Sequence, residues 1–576
     1  MSVDRVAVAR VLDQIASHLE LKAENPFKIR AFRMGARTVG SLSGEPTDWL
    51  AHGTLEGTPG IGPAIQGVVR ELVATGRSTV LEELREHVPP GLVEMLRISG
   101  LGVAKVRQIH ERLHLDAIPE LEAAARDGRL ASLPGFGAKT AENVLRGIAR
   151  LRQTTTFRLL HHAIEEAEML RATLARVAGV QQALVAGEVR RRLELVRDLV
   201  VVLVAESAAE IFTAIGELPG VDEFGGQDER RATIRFAGGE SVQVIVTPAA
   251  NLGAVLIHAT GSDSHLAQVV ARAASRGLTL SGAALWRGSE FVATPDEAVV
   301  YQALGLSLIP PELREGTGEI EMAQGRLPPF IERSDLTGLV HCHTSYSDGS
   351  FTVADLARDC GAAGYSYVGI TDHGGTAAYV GGLTEADIRA QWAEIDAAND
   401  AGVGARVLKG VEADILADGR LGYSEELLAG FDFVIASVHN RFEMNREAMT
   451  ERILAAMDHP AVTILGHLTG RLLLSREPYP LDLDRIFAKA AAMGVAIEIN
   501  ADPQRLDLDW RRVREAKRAG VTISIGADAH SPAGLANVDF GIAMARKGWL
   551  EPRDVLNARP LDDFLTFARS RRDRHA

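Results

Sequence analysis

From residue 339 onward, apolar and β-branched residues gather in seven short runs, at 339–343, 367–373, 406–415, 433–439, 462–468, 495–500 and 522–530, and each gives way to helical spacing. In the first intervening stretch Val353, Leu356, Ala357 and Cys360 recur at i, i+3, i+4 and i+7. In the second, Ile388, Trp392 and Ile395 follow a Thr384-x-x-Asp387 cap. Strands alternating with helices at this rhythm predict a parallel barrel, and seven units suggest an incomplete relative of the eight-fold barrel. The first 150 residues show another pattern. Pro59-Gly60-Ile61-Gly62-Pro63-Ala64, Ser99-Gly100-Leu101-Gly102-Val103-Ala104 and Pro134-Gly135-Phe136-Gly137-Ala138-Lys139 repeat one apolar-Gly-apolar-Gly turn, each leading into a helix.

A chain of 576 residues is too long for one core, so at least three domains are expected. The composition, 46% apolar and 24% charged, is that of a soluble globular protein. No apolar run reaches the ~20 residues that span a bilayer, and the opening residues lack the apolar core of a signal peptide. The expectation is a cytoplasmic protein with no membrane partner. Two cysteines, Cys342 and Cys360, cannot build a disulfide framework or a four-thiolate zinc site, and both read as core residues. The net charge of -14 excludes nucleic-acid binding by a uniformly basic surface. Residues 1–150 are nearly neutral, with 19 Lys plus Arg against 18 Asp plus Glu, so contacts to DNA must be local.

The glycine repeats supply such contacts. A tight hairpin entering a helix leaves backbone N–H groups exposed at the positive end of the helix dipole, which suits a phosphate. These segments resemble helix-hairpin-helix motifs, which grip the DNA backbone without reading sequence. Gly60, Gly62, Gly100, Gly102, Gly135, Gly137 and Lys139 are therefore candidate phosphate contacts. The stretch from Phe27 to Arg33 interleaves aromatic and basic residues; it reads either as a stacking surface or as an amphipathic helix with a Phe stripe.

At Gly187-Glu188-Val189-Arg190-Arg191, followed by Asp198-Leu199-Val200-Val201, the chain resembles the palm of family X DNA polymerases. With the glycine repeats before it and the barrel after it, the whole chain resembles a bacterial family X polymerase with a C-terminal polymerase-and-histidinol-phosphatase (PHP) domain. The resemblance implies a multidomain α/β protein: helical helix-hairpin-helix domains at 1–90 and 91–155, an α+β nucleotidyltransferase-like palm at 156–250, a thumb at 251–318, a linker at 319–335 and a (β/α)7 PHP barrel at 336–572. Family members hold two magnesium ions with three Asp. Here the first falls on Asp198, the second on Val200 and the third on Gln243, while Glu188 stands where the family's Gly-Ser motif meets a triphosphate. A neutral Val and Gln cannot replace two anions, so a degenerate polymerase site is expected. Relatives with lyase activity use a lysine where this chain has Val68, so that chemistry is not expected either.

The barrel carries the opposite signal. His341 and His343 alternate on the first strand, Asp528 and His530 on the last; His373, Glu412, His439 and His467 lie near the ends of strands between them. Six of the eight histidines after residue 330 fall there, at the end of such barrels where functional groups cluster. The motifs HCHTSYSDG, TDHG, GVEADI, SVHN, GHLTGR and DAHS resemble the PHP family at every ligand position. That resemblance implies three ions: one on His341, His343, Glu412 and Asp528; a second on Glu412, His439 and His467; a third on Asp348, His373 and His530. Imidazole and carboxylate ligands suit manganese, zinc or iron alike, and the family resemblance implies manganese, with zinc or iron as alternatives. Glu412, His439 and Asp528 are the expected catalytic ligands, the ions activating water for attack on a phosphoester. Arg441, Arg471 and Arg505 each follow a strand end and could clamp phosphate.

The expected activity is removal of nucleotides or phosphate from the 3′ end of gapped or recessed DNA during repair. A gap-filling polymerase with an editing domain and a small-molecule phosphatase of the histidinol-phosphate kind are the alternatives. A protein that only binds DNA ends would leave nine aligned ligands without a purpose. The oligomeric state is left open, a monomer included.

Overall fold

The computed structural model describes residues 5–22, 24–42, 46–58, 60–85, 87–98, 100–218, 220–236, 241–282, 284–374 and 382–573. Pro59 and Ser99, the leading residues of the first two glycine repeats, lie outside them. The chain divides into two units, residues 1–156 and 157–576.

The first unit is helical. Helices α1 (Arg5–Leu21) and α2 (Pro26–Ser41) pack with α3 (Pro63–Thr75) around Leu12, Ile15, Phe32, Val39, Ile65 and Val69. Val68, in the position that relatives with lyase activity give to lysine, belongs to this core. The Phe27–Arg33 stretch splits between its two readings. Phe32 is core, whereas Phe27 is 75% exposed with the Arg30 guanidinium 4.8 Å from its ring centre. A second core joins α4 (Val103–Leu113) to α5 (Ala138–Thr156) through Val106, Ile109, Val144 and Ile148.

The glycine turns stand at the starts of α3, α4 and α5. Gly60, Gly100 and Gly135 adopt φ of +88°, +85° and +81°, a region that side chains disfavour. Their partners need no such freedom. Gly62 and Gly102 are N-caps with φ of −83° and −74°, and a Cβ on Gly62, Gly102 or Gly137 would meet nothing within 4 Å. Backbone strain and internal packing therefore leave the second glycine of each turn unexplained, whereas close approach of an external group explains it.

In the second unit, strands β1 (Gln182–Ala186), β2 (Leu199–Val204), β3 (Val221–Asp228), β4 (Arg231–Phe236) and β5 (Ser241–Thr247) form one sheet in the order β1-β2-β5-β4-β3. The short helix α6 (Gly187–Arg190) follows β1. β2 and β5 are parallel neighbours, buried Val-rich runs of the kind that fill the middle of a sheet. A small domain of helices and a three-stranded antiparallel sheet follows. The stretch expected to be a linker packs into it: Ile320, Ala323 and Phe330 join its core, and fully buried Glu319 lies 2.7 Å from His265 Nδ1. The apolar residues of that stretch have a surface to cover, so it folds down.

Strands β6 (Gly338–Cys342), β7 (Tyr367–Ile370), β8 (Arg406–Asp414), β9 (Phe433–Ser437), β10 (Val462–Leu465), β11 (Ala496–Asn500) and β12 (Ile523–Ala529) close a parallel seven-stranded barrel. Phe433 fills one level of its interior. A Cβ added at Gly369 or Gly410 would lie within 2.6 Å of this ring, so those glycines are spaces for it. Truncating so buried a ring costs about 3–5 kcal/mol. Cys342 and Cys360 are buried in the layer between strands and helices.

Candidate metal centre

All seven barrel strands send polar side chains to the C-terminal rim. His341 lies in β6, His343 just after it and Asp348 in the following loop; His373, His439 and His467 lie beyond the ends of β7, β9 and β10; Glu412 is in β8, Asp528 in β12 and His530 beyond it. β11 contributes Glu498 and Asn500. The hub is Glu412, 1% exposed. Its Oε1 lies 3.2 Å from His439 Nε2 and 2.9 Å from His467 Nε2. Its Oε2 lies 3.0 Å from His373 Nδ1, 3.5 Å from His341 Nε2 and 3.9 Å from His343 Nε2. One carboxylate thus turns a different oxygen to each side, as a bridging ligand must.

On the first side, Asp528 Oδ1 lies 3.5 Å from His341 Nε2 and 3.1 Å from His343 Nε2. On the rim, Asp348 lies 3.4 Å from His530 Nε2, 3.7 Å from His373 Nε2 and 3.8 Å from His343 Nδ1. Eight of the nine residues converge in three groups: His341 with His343 and Asp528; His343 with Asp348, His373 and His530; and His373 with Glu412 and His439. His467 joins them through Glu412, which groups with His373 where the expected ion set gave it His341, His343 and Asp528. His343 and His373 stand at the borders: His343 approaches the Asp348 group, and His373 approaches Glu412 and His439.

The atoms that face one another make poor hydrogen bonds and good ligands. His341 Nε2, both ring nitrogens of His343, His373 Nδ1 and both oxygens of Glu412 are buried without a hydrogen-bond partner. Leaving such groups unpaired costs several kcal/mol for a charged one, and cations at the shared centres would remove that cost. The backbone is strained as well. His341, Asp528 and His467 adopt φ of +62°, +49° and +24°, each costing on the order of 1–3 kcal/mol. The donor set of imidazoles and carboxylates fits a cluster of divalent transition ions.

Electrostatics agree. Burial would raise the Glu412 carboxyl, but His439, His341 and His373 outweigh it and hold it well below the usual carboxylate range. Asp528 is likewise depressed against burial by His341, His343 and Arg505. Burial would lower His439, yet Glu412 and a hydrogen bond with Asp414 carry it up to about 9. His530 rises to about 9 against burial through Asp348 and Asp528. His467 moves the other way, lowered by burial and by Arg505.

A second layer, not foreseen in the sequence, orients these ligands. Glu498 Oε1 lies 2.5 Å from His341 Nδ1, and its Oε2 accepts the His467 backbone N–H at 2.8 Å. Asp414 lies 2.6 Å from His439 Nδ1, and Asn500 donates to Asp528 Oδ2 at 2.9 Å. A Cβ on Gly526 would lie 1.9 Å from Glu498 Oε1, so that glycine makes room for the pair. Asp372 accepts from Thr344 N–H, Thr344 Oγ1 and Gln391 Nε2 at 2.6–2.7 Å, anchoring the start of the loop that carries Asp348. Carboxylates behind ligand imidazoles fix their tautomer and direction. The signal was present: Glu412-x-Asp414 and Glu498-x-Asn500 are polar pairs inside otherwise apolar buried strands.

The three arginines separate. Arg505 Nε lies 3.6 Å from Asp528 Oδ2, and its Nη1 is buried without a hydrogen-bond partner. Arg441 is exposed beyond β9. Arg471 departs from its expected role as a phosphate clamp: Nε donates to the Arg505 carbonyl at 2.9 Å, Nη1 to Asp509 at 3.1 Å and Nη2 to the Leu506 carbonyl, so its guanidinium is consumed in holding a loop.

In the palm-like sheet, Val200 and Gln243, the positions to which the family resemblance assigns two carboxylates, are register partners on β2 and β5. Val200 packs instead with Ala186, Val202, Ile245, Leu252 and Val255. Glu188 accepts the backbone N–H of Arg197 at 2.6 Å and that of Asp198 at 3.4 Å. Arg190 pairs with Glu297 through two contacts of 2.8 and 2.6 Å, and Arg191 donates to the Thr260 carbonyl at 2.6 Å.

A rim of histidines and carboxylates on a seven-stranded parallel barrel defines a PHP domain, and the model of that domain matches residues 340–502. The DNA polymerase beta thumb matches residues 255–315, a helix-hairpin-helix domain residues 4–78 and a tandem of such motifs residues 92–150. The chain belongs to the bacterial PolX family, being 33% identical to the DNA polymerase/3′-5′ exonuclease PolX of Bacillus subtilis over 97% of its own length and 98% of that protein's. Over the barrel it is also similar to shorter proteins. A probable phosphatase of Caldanaerobacter subterraneus is 30% identical over 41% of this chain and 91% of its own, and one of Clostridium acetobutylicum is 34% identical over 23% and 56%. No described helix is long and apolar enough to cross a membrane.

Proposed function

We propose that this chain is a DNA-end-processing hydrolase, a manganese-dependent 3′-5′ exonuclease or 3′-end phosphoesterase whose chemistry resides in the barrel and whose palm no longer polymerises. The observation that carries the reading is the contrast between Glu412, met by five imidazoles, and the palm, where the register partners are Val200 and Gln243. His341, His343, Asp348, His373, Glu412, His439, His467, Asp528 and His530 would hold the ions. Bound there, divalent ions supply Lewis acidity toward a phosphoryl oxygen and lower the pKa of water. Glu498 and Asp414 keep two of the imidazoles turned toward the centre. Arg505, with a buried N–H to give, would donate to a phosphoryl oxygen beside Asp528. The turns at Gly60–Gly62, Gly100–Gly102 and Gly135–Gly137, with Lys139 at the third, would hold the DNA backbone in gapped or recessed duplexes.

The test is a recessed duplex labelled at the 5′ end of the recessed strand and incubated with Mn²⁺. Stepwise shortening from the 3′ end, absent in Glu412→Ala, is the expected result. Two other readings have specific support. The Bacillus relative is named a polymerase as well as an exonuclease, which favours residual nucleotide addition on Asp198. The barrel-only relatives are named probable phosphatases, which favours a small phosphomonoester. An untouched duplex together with rapid turnover of p-nitrophenyl phosphate would select the latter.

A further inference from the structure

The palm-like region retains one carboxylate that reaches into the barrel. Glu194, 7% exposed, is fixed by its own backbone, whose carbonyl accepts the Leu160 N–H at 3.2 Å. Its Oε1 accepts from Arg511 Nη1 at 3.1 Å and lies 3.9 Å from Arg471 Nη1. Both arginines belong to the barrel. Arg471 sits on the loop after β10, and Arg511 lies in the first turn of helix α7 (Trp510–Arg518), which follows the loop 502–509 that carries Arg505.

These contacts end at the metal centre. Arg471 holds the carbonyls of Arg505 and Leu506, and it shares the Asp509 carboxylate with Arg511, at 3.1 and 3.0 Å. The same two loops are laced by the Thr469 N–H on Asp507 at 2.9 Å and the Leu473 N–H on the Gln504 carbonyl at 2.7 Å. Two guanidiniums this close need more than one anion. Asp509 supplies one from within the barrel and Glu194 the other from the palm. Without Glu194, Arg471 and Arg511 compete for Asp509, and the hold of Arg471 on the Arg505 carbonyl loosens.

We propose that Glu194 is a positioning residue for hydrolysis in the barrel, holding the Arg471–Arg511 pair and, through it, the 502–509 loop that presents Arg505 to the phosphate. The palm-like region then serves as a brace for the phosphoesterase site. The inference rests on the reading of Arg505 as a phosphate contact.

The experiment compares the full-length wild type with Glu194→Ala, Glu194→Gln, Arg505→Ala and the double variant Glu194→Ala/Arg505→Ala. The substrate is bis(p-nitrophenyl) phosphate with Mn²⁺, alongside metal content and melting temperature. Arg505→Ala is expected to raise KM about tenfold and Glu194→Ala about fivefold, the latter with kcat and bound metal unchanged. Glu194→Gln, which keeps the shape and one acceptor, should fall between wild type and Glu194→Ala and carries the test if the alanine variant does not fold. The double variant should be no worse than Arg505→Ala, because both changes act on one contact. An unchanged KM in the Glu194 variants, or a multiplied effect in the double, overturns the brace while leaving Arg505 in place. An unchanged KM in Arg505→Ala removes the phosphate contact and the brace with it.

Discussion

The palm-like sheet and the barrel rim both set side chains from neighbouring parallel strands beside one another, and they differ in which side chains those are. On β2 and β5 the facing positions are Val200 and Gln243, and Val200 closes an apolar cluster. That arrangement is stable without any ion. On the barrel, both oxygens of buried Glu412, His341 Nε2, both ring nitrogens of His343 and His373 Nδ1 lack hydrogen-bond partners, and His341 and Asp528 hold left-handed backbones. Folding alone gains nothing from these features, each of which costs on the order of 1–3 kcal/mol. The difference is what the proposed function rests on: the palm positions are satisfied by packing alone, whereas the rim positions are satisfied only by cations between them.

The largest expected effect removes the hub. Glu412→Ala should lower phosphodiester hydrolysis about a thousandfold and cut the bound metal measured by plasma mass spectrometry. Activity within tenfold of wild type would mean that the rim resembles the palm more than supposed. Next, a negative charge at the turns should separate DNA holding from chemistry. Because Cβ atoms at Gly62, Gly102 and Gly137 meet open space, the triple change to Glu should leave the melting temperature and small-substrate kinetics alone. It should weaken binding to a gapped duplex about 10- to 100-fold in a fluorescence titration.

A smaller change tests the second layer. Glu498→Gln can no longer take a proton-bearing Nδ1 as an anion does, and metal affinity should fall about 10- to 100-fold in a competition titration. The smallest effect is the pH response of the metal-free protein. His439 and His530, both near 9 when folded, bind protons more tightly than in the unfolded chain, near 6.5. Their contribution to stability is therefore full below about 6.5 and lost as pH climbs through 9. Metal must displace those protons, so its affinity should rise with pH over the same window. An affinity flat from pH 6.5 to 9 would contradict the geometry around Glu412.

Much of this was legible in the chain. Eight of the nine rim residues stood out because they lie in or end strong apolar runs, and strand periodicity states which way such residues face, whereas Asp348, in the loop after β6, was implied by the family motif alone. Cys342 was readable as core by the same alternation, and it packs there. Glu498 and Asp414 escaped notice because a polar residue within an apolar strand shows that it is buried with a partner, and only the fold shows that the partner is His341 or His439. Arg471 was misread because its position after a strand end is the same as Arg505's, and only the fold of the 502–509 loop tells them apart. Residues 319–335 were expected to be a linker from the order of domains in the family, yet Ile320 and Phe330 are enough to pin them.

The most direct test of the division between the two regions is nucleotide incorporation by full-length His341→Ala, in which the barrel is disabled and any added nucleotide survives. On a one-nucleotide gapped duplex with labelled deoxynucleotides and Mn²⁺ or Mg²⁺, the account predicts no label in the DNA, while the wild type shortens the same primer. A primer lengthened by one templated nucleotide would contradict it.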